Sequence, residues 1–346
     1  MLKVFFIDTN PIYERVLGFR NICLYMSIFL VSSVYNHSER HISHILNYLK
    51  YCGLFIVIFG IIQFFFQSYL PIQLKHLLLG GTTVGLGDTI FIRPNGLIGN
   101  PLHYTTFSLM IFGLFYYDFI KNNNLKNKIF IFIIFLAIMI SFSRAGIFGL
   151  ILVVSIINLY SGKSNFIQFG KYGIILCILF FMLDPLYQKL ILNRLNVNSS
   201  MNLGTNMMHI ADYKASIDTI SESPIVGVGV GSQGSSGQGR DKIITDGFWF
   251  ILFLELGIPI GLIFLSFWFR IIFKIRRLFH IIKSEVVLNL AVIFFAWSGY
   301  FLFANIVNTS FDRINYILYW LIAGILLGHY GQHFSSVKET LPKRLM

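Results

Sequence analysis

Two arginines stand out because the chain around them carries very few charges. Arg93 lies in FIRPNGLIGNP and Arg144 lies in SFSRAG, and each borders a long apolar run. A guanidinium offers both positive charge and a planar fork of donors, which suits phosphate oxygens. We predict that Arg93 binds phosphate and that Arg144, at a very short connection between two apolar runs, has a functional role. Two alternatives stay open: Arg93 extending to a membrane surface, and Arg144 pairing with a carboxylate or a backbone carbonyl.

His209 and Asp246 are the residues that suit proton transfer. His209 lies on a predicted amphipathic helix, Thr205–Ser221, which Pro224 ends. The apolar stripe of this helix is Ile210, Tyr213, Ile217 and Ile220, and its polar flank is His209, Asp212 and Ser216. Asp246 precedes the next apolar run. Either His209 or Asp246 can orient or deprotonate a hydroxyl, and the alternative for the helix is a position on the membrane surface.

A glycine-rich segment follows this helix, with Gly227, Gly229 and Gly231 as its candidate loop residues. Gly229-x-Gly231-x-x-Gly234 matches a dinucleotide-binding pattern. It follows no buried strand of a βαβ unit, so we reject that function. The segment is predicted to be a flexible or tightly turning loop.

The heptapeptide Thr82–Asp88, TTVGLGD, resembles the selectivity filter of potassium channels. The preceding LPIQLKHLLLGG would make a weak pore helix, because it contains Lys75 and His76 and ends in two glycines. A Gly-rich turn outside the membrane is the favoured interpretation, and a cation channel remains the alternative from a different functional class.

Composition places the chain in a membrane. Of its 346 residues 55% are hydrophobic and 12% are charged, whereas a soluble domain has about 25% charged residues. The net charge of +12 comes mostly from short connectors, which indicates membrane topology rather than nucleic-acid binding. The three cysteines have no spacing typical of a disulfide framework or a metal site, and no cleavable signal peptide is visible.

The apolar runs predict an all-α polytopic protein with about nine transmembrane helices in a single integral membrane domain, residues 1–346. The predicted spans are 16–35, 48–66, 102–120, 128–142, 146–160, 172–183, 247–269, 286–305 and 314–330. The connectors 121–128, 161–171 and 270–285 and the tail are basic, so they are expected in the cytoplasm. A large periplasmic loop, 184–245, then carries the amphipathic helix. His37, His41 and His44 are assigned to a polar connector rather than to a metal site.

Four blocks together resemble the O-antigen polymerase and O-antigen ligase superfamily of bacterial envelope proteins. They are RPNGLIGNP, SFSRAG, the P-x-x-G-x-G of Pro224 to Gly229, and the D-x8-E-x-G of Asp246 to Gly257. The resemblance covers about residues 90–265. It rests on the order of the blocks, since each motif alone is weak.

The resemblance implies a glycosyltransferase C-like membrane fold in the bacterial inner membrane. It also implies an undecaprenyl-pyrophosphate-linked glycan as donor and as acceptor, with no cofactor and no metal. Arg93 and Arg144 match family arginines. The family often has a further arginine at the position that His209 occupies in this sequence. Arg194 lies upstream of this position, so the resemblance makes Arg194 a third candidate for pyrophosphate binding.

The family's ligases have a histidine about where Asp246 stands, which favours a polymerase. The alternatives are an O-antigen ligase that transfers the glycan to the lipid A core and, in a different class, a cation channel or a polysaccharide transporter. Membrane lipid is an expected partner, and binding of a chain-length regulator protein stays open.

Overall fold

The computed structural model describes residues 12–20, 24–35, 37–67, 69, 83–86, 89–161, 200–232, 247–307 and 313–340. The helices in these ranges are α1 Ile12–Phe19, α2 Tyr25–Val34, α3 Glu39–Phe66, α4 Pro101–Asn122, α5 Leu125–Ile140, α6 Arg144–Ser161, α7 Ser200–Glu222, α8 Phe248–Leu256, α9 Ile258–Leu278, α10 Glu285–Val307 and α11 Arg313–Thr340. The strands are β1 Thr83–Leu86 and β2 Thr89–Ile92. The predicted span 172–183, Arg194 and Asp246 lie outside the described residues.

Five of the described helices are long and apolar enough to cross a membrane. These spans are Glu39–Phe66, Arg144–Ser161, Ile258–Leu278, Glu285–Ile306 and Ile314–Gly331. About 20 residues of helix match the thickness of a bilayer core. The chain is therefore a helical, multi-pass membrane protein, which confirms the predicted fold class.

One predicted boundary was wrong at the amino-terminal end. The predicted span 16–35 covers part of α1 and all of α2, and residues 21–23 between them lie outside the described residues, but α3 begins at Glu39 rather than near residue 48. His41 and His44 therefore lie on α3 instead of in a connector. Polar residues at the start of a helix mask its beginning in a hydropathy pattern, because that pattern detects only the apolar length.

The predicted seventh span, 247–269, is not one helix. It breaks at Gly257, where φ is +79°. Helix α8 ends at Leu256, and α9 begins at Ile258. The two helices form an antiparallel hairpin: Phe253 lies against Gly261, and the Trp249 and Trp268 rings are 5.2 Å apart. An apolar run shows no break when both halves of the hairpin are apolar.

Part of the filter-like heptapeptide forms a β-hairpin. β1 and β2 pair antiparallel, with Thr83 opposite Ile92 and Leu86 opposite Thr89. A selectivity filter instead directs its backbone carbonyls at an ion. The pairing favours the extramembrane turn over the channel interpretation.

The described residues cluster into two compact units. The central unit is Tyr48–Ala211, and the terminal unit combines Met1–Asn47 with Asp212–Met346. In the central unit α3 and α4 are joined inside the core, where the Tyr104 hydroxyl donates to the Val57 carbonyl at 2.7 Å. The Val57 carbonyl lies inside α3 and can accept this bond in addition to its helical hydrogen bond. The contact therefore joins α3 to α4 without interrupting α3.

The terminal unit has an aromatic core and a tightly packed helix pair. Trp268 and Tyr319 stack with ring centroids 6.1 Å apart, and Trp320 is fully buried beside them. The end of α2 packs on Gly324 and Gly328 of α11, a pair spaced as in G-x-x-x-G. Small residues at this spacing let two membrane helices approach closely.

Candidate functional site

The loop Arg93–Asn100 forms a defined turn directly before α4 in the central unit. The Gly96 carbonyl accepts a bond from Gln63 Nε2 at 3.0 Å. Gly96 has a φ of +59°, and a Cβ there would lie 2.8 Å from the Tyr104 ring. Asn100 then caps α4, because its side chain accepts from the Leu102 N–H at 2.8 Å. The backbone therefore approaches the Tyr104 ring closely at Gly96.

Gly99 differs from Gly96. Its φ is +86°, but no atom of the described residues lies within 4 Å of where a Cβ would be. Its role is therefore the left-handed backbone conformation that glycine adopts at little cost, and not close packing.

The SFSRAG turn joins α5 to α6 through a strained residue. Phe142 has a φ of +52°, a conformation that costs a bulky residue about 1–3 kcal/mol. Its ring is buried, with its centroid 5.8 Å from that of Phe64. Ser143 caps α6 by accepting from the Gly146 N–H at 3.2 Å. Each position in the motif thus shapes the turn that precedes Arg144.

A hydrogen bond joins the two arginine motifs. Arg93 Nε donates to the Ser141 carbonyl at 2.7 Å, and Ser141 lies three residues before Arg144. Ser141 is completely buried, while both arginines are partly exposed. The bond uses one of the five N–H donors of the Arg93 guanidinium. The Arg93 side chain is therefore bonded to the turn that directly precedes Arg144, although the two arginines are 51 residues apart in the sequence.

The electrostatics of this turn favour an anion. Arg144 is the first residue of α6, where the helix dipole places partial positive charge and backbone N–H groups point outward. A cation in the first turn of a helix is unfavourable by itself. A phosphate oxygen at the same place would interact favourably with the helix end and with the guanidinium.

Asn95 is a further polar residue of this region that the sequence did not identify. It is 2% exposed, and its Oδ1 atom has no hydrogen-bond partner among the described residues. A buried, unsatisfied amide costs about 1–3 kcal/mol. The motif letters RPNG gave no signal for it, because an Asn before Gly is also what an ordinary turn contains.

The helix that carries His209 is longer than predicted and buries a different face. α7 begins at Ser200 rather than Thr205. Ile210 and Ile217 of the expected apolar stripe are exposed, whereas Ser216 is fully buried and donates to the Asp212 carbonyl at 2.6 Å. In a membrane protein an exposed isoleucine can face lipid, which is as apolar as a core. An apolar stripe therefore does not identify the buried face.

His209 itself is partly buried on α7. It lies four residues before Tyr213, so the two side chains share a helix face. Tyr213 in turn stacks on Phe250 of α8 within the terminal unit, with ring centroids 5.1 Å apart.

The segment after α7 forms tight turns through the described part of the glycine run. Gly227, Gly229 and Gly231 all have positive φ, at 69°, 110° and 81°. Gly231 lies against Gly18 of α1, and Val230 is 2% exposed. Of the two alternatives left by the sequence, the geometry through Ser232 favours a tightly turning segment. The glycines after Ser232 lie outside the described residues.

One comparison with known proteins gives a match. Residues 129–265 match the family model described as O-Antigen ligase. This range contains the SFSRAG turn, α7, the segment Pro224–Gly229 and the break at Gly257, and it begins after Arg93. No curated protein and no solved structure matches the chain.

Proposed function

Because residues 129–265 are an O-antigen ligase-family domain within a multi-pass membrane protein, we propose that the chain is a membrane glycosyltransferase that polymerises lipid-linked repeat units. The substrates are undecaprenyl-pyrophosphate-linked oligosaccharides, and the reaction takes place at the periplasmic face of the bacterial inner membrane. The product is an O-antigen, a capsule or a related surface polysaccharide.

The bond between Arg93 and Ser141 carries this proposal. Arg93 lies outside the stretch that matches the family, and this contact ties it to the turn before Arg144 inside that stretch. One guanidinium at the amino terminus of α6 and a second one bonded to the turn before it suit the two linked phosphates of a lipid pyrophosphate.

The proposed reaction is a single displacement. The acceptor hydroxyl oxygen forms a bond to the anomeric carbon while the bond from that carbon to the pyrophosphate oxygen breaks, which inverts the anomeric configuration. Arg93 and Arg144, with Arg194 as a third candidate, stabilise the negative charge that develops on the leaving pyrophosphate. His209 or Asp246 takes the proton from the acceptor hydroxyl. The proposal assigns no role to a metal or a cofactor.

Ligase activity is the second candidate, and the description of the matched family favours it. In that case the acceptor is the lipid A core instead of a second lipid-linked glycan. Asp246 favours the polymerase, because the resemblance places a histidine there in ligases. The two reactions share the donor and the pyrophosphate site and differ only in the acceptor.

Complementation tests the proposal in a strain that depends on this chain. Arg93→Ala and Arg144→Ala should each abolish the ladder of polysaccharide lengths, because each removes one pyrophosphate-binding cation. Arg270→Ala, at an exposed arginine of α9, is the matched control and should leave the ladder unchanged. The amount of each variant in the membrane is measured in parallel.

The product that accumulates separates the two candidates. A polymerase variant should leave a single repeat unit, and a ligase variant should leave carrier-linked polymer with none on lipid A. An unchanged ladder for both Arg93→Ala and Arg144→Ala, at normal protein level, would reject the proposed site.

A further inference from the structure

Three lysines lie over aromatic rings at one end of the central unit, where α4 ends and α5 begins. Lys126 Nζ is 5.2 Å from the ring centroid of Tyr51 and 5.6 Å from that of Phe130. Lys121 lies 5.8 Å from the Tyr117 centroid, and Lys128 lies 5.7 Å from the Phe119 centroid. We call these seven residues the lysine–aromatic cluster. A ring face holds an ammonium group by its quadrupole and leaves the direction of the N–H donors adjustable.

The segment 101–161, which carries the three lysines, has four basic residues and one acidic residue. Asp118 is the single acidic residue in the sequence from 101 to 161. It forms an ion pair with Lys50 of α3 at 2.5 Å, inside the helix bundle. The lysines of the cluster therefore form a basic patch with a net positive charge.

The position of two of these lysines on α5 is unfavourable without an anion. Lys126 and Lys128 lie in the first turn of α5, directly after the capping residue Asn124. The helix dipole makes this end partly positive, so the lysines repel it. A phosphate group placed among them would neutralise both sources of positive charge at once.

The surface beside the cluster is apolar and exposed. Leu125 is 68% exposed and Ile129 is 50% exposed on α5, and Phe55 is 62% exposed on α3, one helical turn after Tyr51. An anion with attached hydrocarbon chains would contact both parts of this surface. Its phosphate would contact the lysines, and its chains would contact Leu125, Ile129 and Phe55. A soluble anion would use only the lysines.

We propose that the lysine–aromatic cluster binds the phosphate headgroup of an anionic phospholipid. The basic connector 121–128 predicts that this end of the central unit is cytoplasmic, where anionic lipids attract basic residues near the surface. The site is separate from the proposed glycosyl transfer, because Arg93 and Arg144 lie at the opposite ends of α4 and α5. Its consequence is a preference for anionic lipid around this unit.

Native mass spectrometry of the full-length protein in detergent tests this binding. The protein is titrated with phosphatidylglycerol and, separately, with phosphatidylethanolamine of the same acyl chains. The wild type should bind phosphatidylglycerol more tightly. The double variant Lys126→Gln/Lys128→Gln should weaken that binding by about fivefold for each lysine, the factor expected for one charge near an anionic surface. Binding of phosphatidylethanolamine should stay unchanged.

Two controls accompany this measurement. Lys126→Arg/Lys128→Arg keeps the charge and should keep the preference. Lys214→Gln/Lys283→Gln removes two exposed lysines elsewhere and should leave the preference unchanged. Equal binding of the two lipids by the wild type would overturn the proposal, even if the glutamine variant fails to fold. Undiminished phosphatidylglycerol binding by a folded glutamine variant would overturn it as well.

Discussion

Gly227 and Gly257 meet backbone to backbone in the terminal unit. A Cβ on Gly227 would lie 2.6 Å from the Gly257 nitrogen, and a Cβ on Gly257 would lie 3.1 Å from the Gly227 nitrogen. Two hydrogen bonds flank this contact, from Val228 N to Leu254 O and from Ile258 N to Pro224 O, each at 2.8 Å. The P-x-x-G-x-G segment is therefore bound to the break between α8 and α9.

This contact explains why two of the sequence motifs occur together. Glu255 and Gly257 belong to the second motif; Glu255 is 2% exposed, and its backbone oxygen would lie 2.8 Å from a Cβ on Gly227. Both glycines have positive φ as well as no room for a side chain. The two motifs thus meet in one backbone contact. This contact connects the segment after α7, the helix that carries His209, to the α8–α9 hairpin, which follows Asp246 in the sequence.

Replacing Gly257 by Ala should destabilise the protein by several kcal/mol, because a Cβ meets backbone atoms and φ is positive. The measurement is thermal unfolding of the detergent-purified protein, followed by tryptophan fluorescence. Gly99→Ala is the matched control: its φ is also positive, but it has free space, so its cost should be only about 1 kcal/mol. Equal unfolding temperatures for the two variants would contradict the role of the contact.

Replacing Gly324 by Leu should separate α2 from α11, since a Cβ on Gly324 would collide with Ser32 and with the Phe29 carbonyl. We expect a lower unfolding temperature together with faster proteolysis near the amino terminus. Gly331→Leu lies two turns further along the same helix, where an added Cβ would meet no atom of the described residues within 4 Å, and should change neither quantity. A tolerated Gly324→Leu would show that α2 does not depend on this groove.

Asp118→Asn should be strongly destabilising, because it leaves Lys50 charged in a site where its side chain is only 10% exposed. Removing one partner of a buried pair costs about 3–5 kcal/mol, and the 27% exposure of Asp118 places the expected value at the lower limit. The double variant Lys50→Met/Asp118→Leu should recover most of the loss, since apolar replacements of such pairs are well tolerated. Thermal unfolding of all three proteins measures both effects, and a double variant no more stable than Asp118→Asn would contradict the pairing.

Arg93→Lys separates the charge of Arg93 from its hydrogen bond. Lysine keeps the positive charge but cannot reproduce the Nε donor that meets the Ser141 carbonyl. We expect a loss of about tenfold in the rate of glycan transfer, from one charge-assisted hydrogen bond of about 1.5 kcal/mol. Arg93→Ala, which removes the charge too, should lose considerably more. A reconstituted assay with lipid-linked substrate gives the rates, and equal rates for Lys and Arg would mean that the turn contact is dispensable.

The class of the protein and the locations of its most informative motifs could be predicted from the sequence. Long apolar runs identify membrane helices, because the cost of burying a polar group in lipid excludes almost every other structure. The Pro, Gly and Asn residues around Arg93 are typical of a turn, since Pro fixes φ while Gly and Asn accept the left-handed conformation. Arg144 was recognisable as a functional candidate, because a charged side chain between two membrane-spanning runs is also costly.

The tertiary structure alone decided which of these motifs are in contact. The bond from Arg93 to Ser141, the joint between Gly227 and Gly257, and the break of the 247–269 span depend on approaches between residues distant in the sequence. No periodicity encodes such approaches, because an apolar side chain in a membrane protein is equally well placed against lipid or against protein. A side-chain hydrogen bond, rather than hydrophobicity, therefore brings Arg93 to the turn before Arg144.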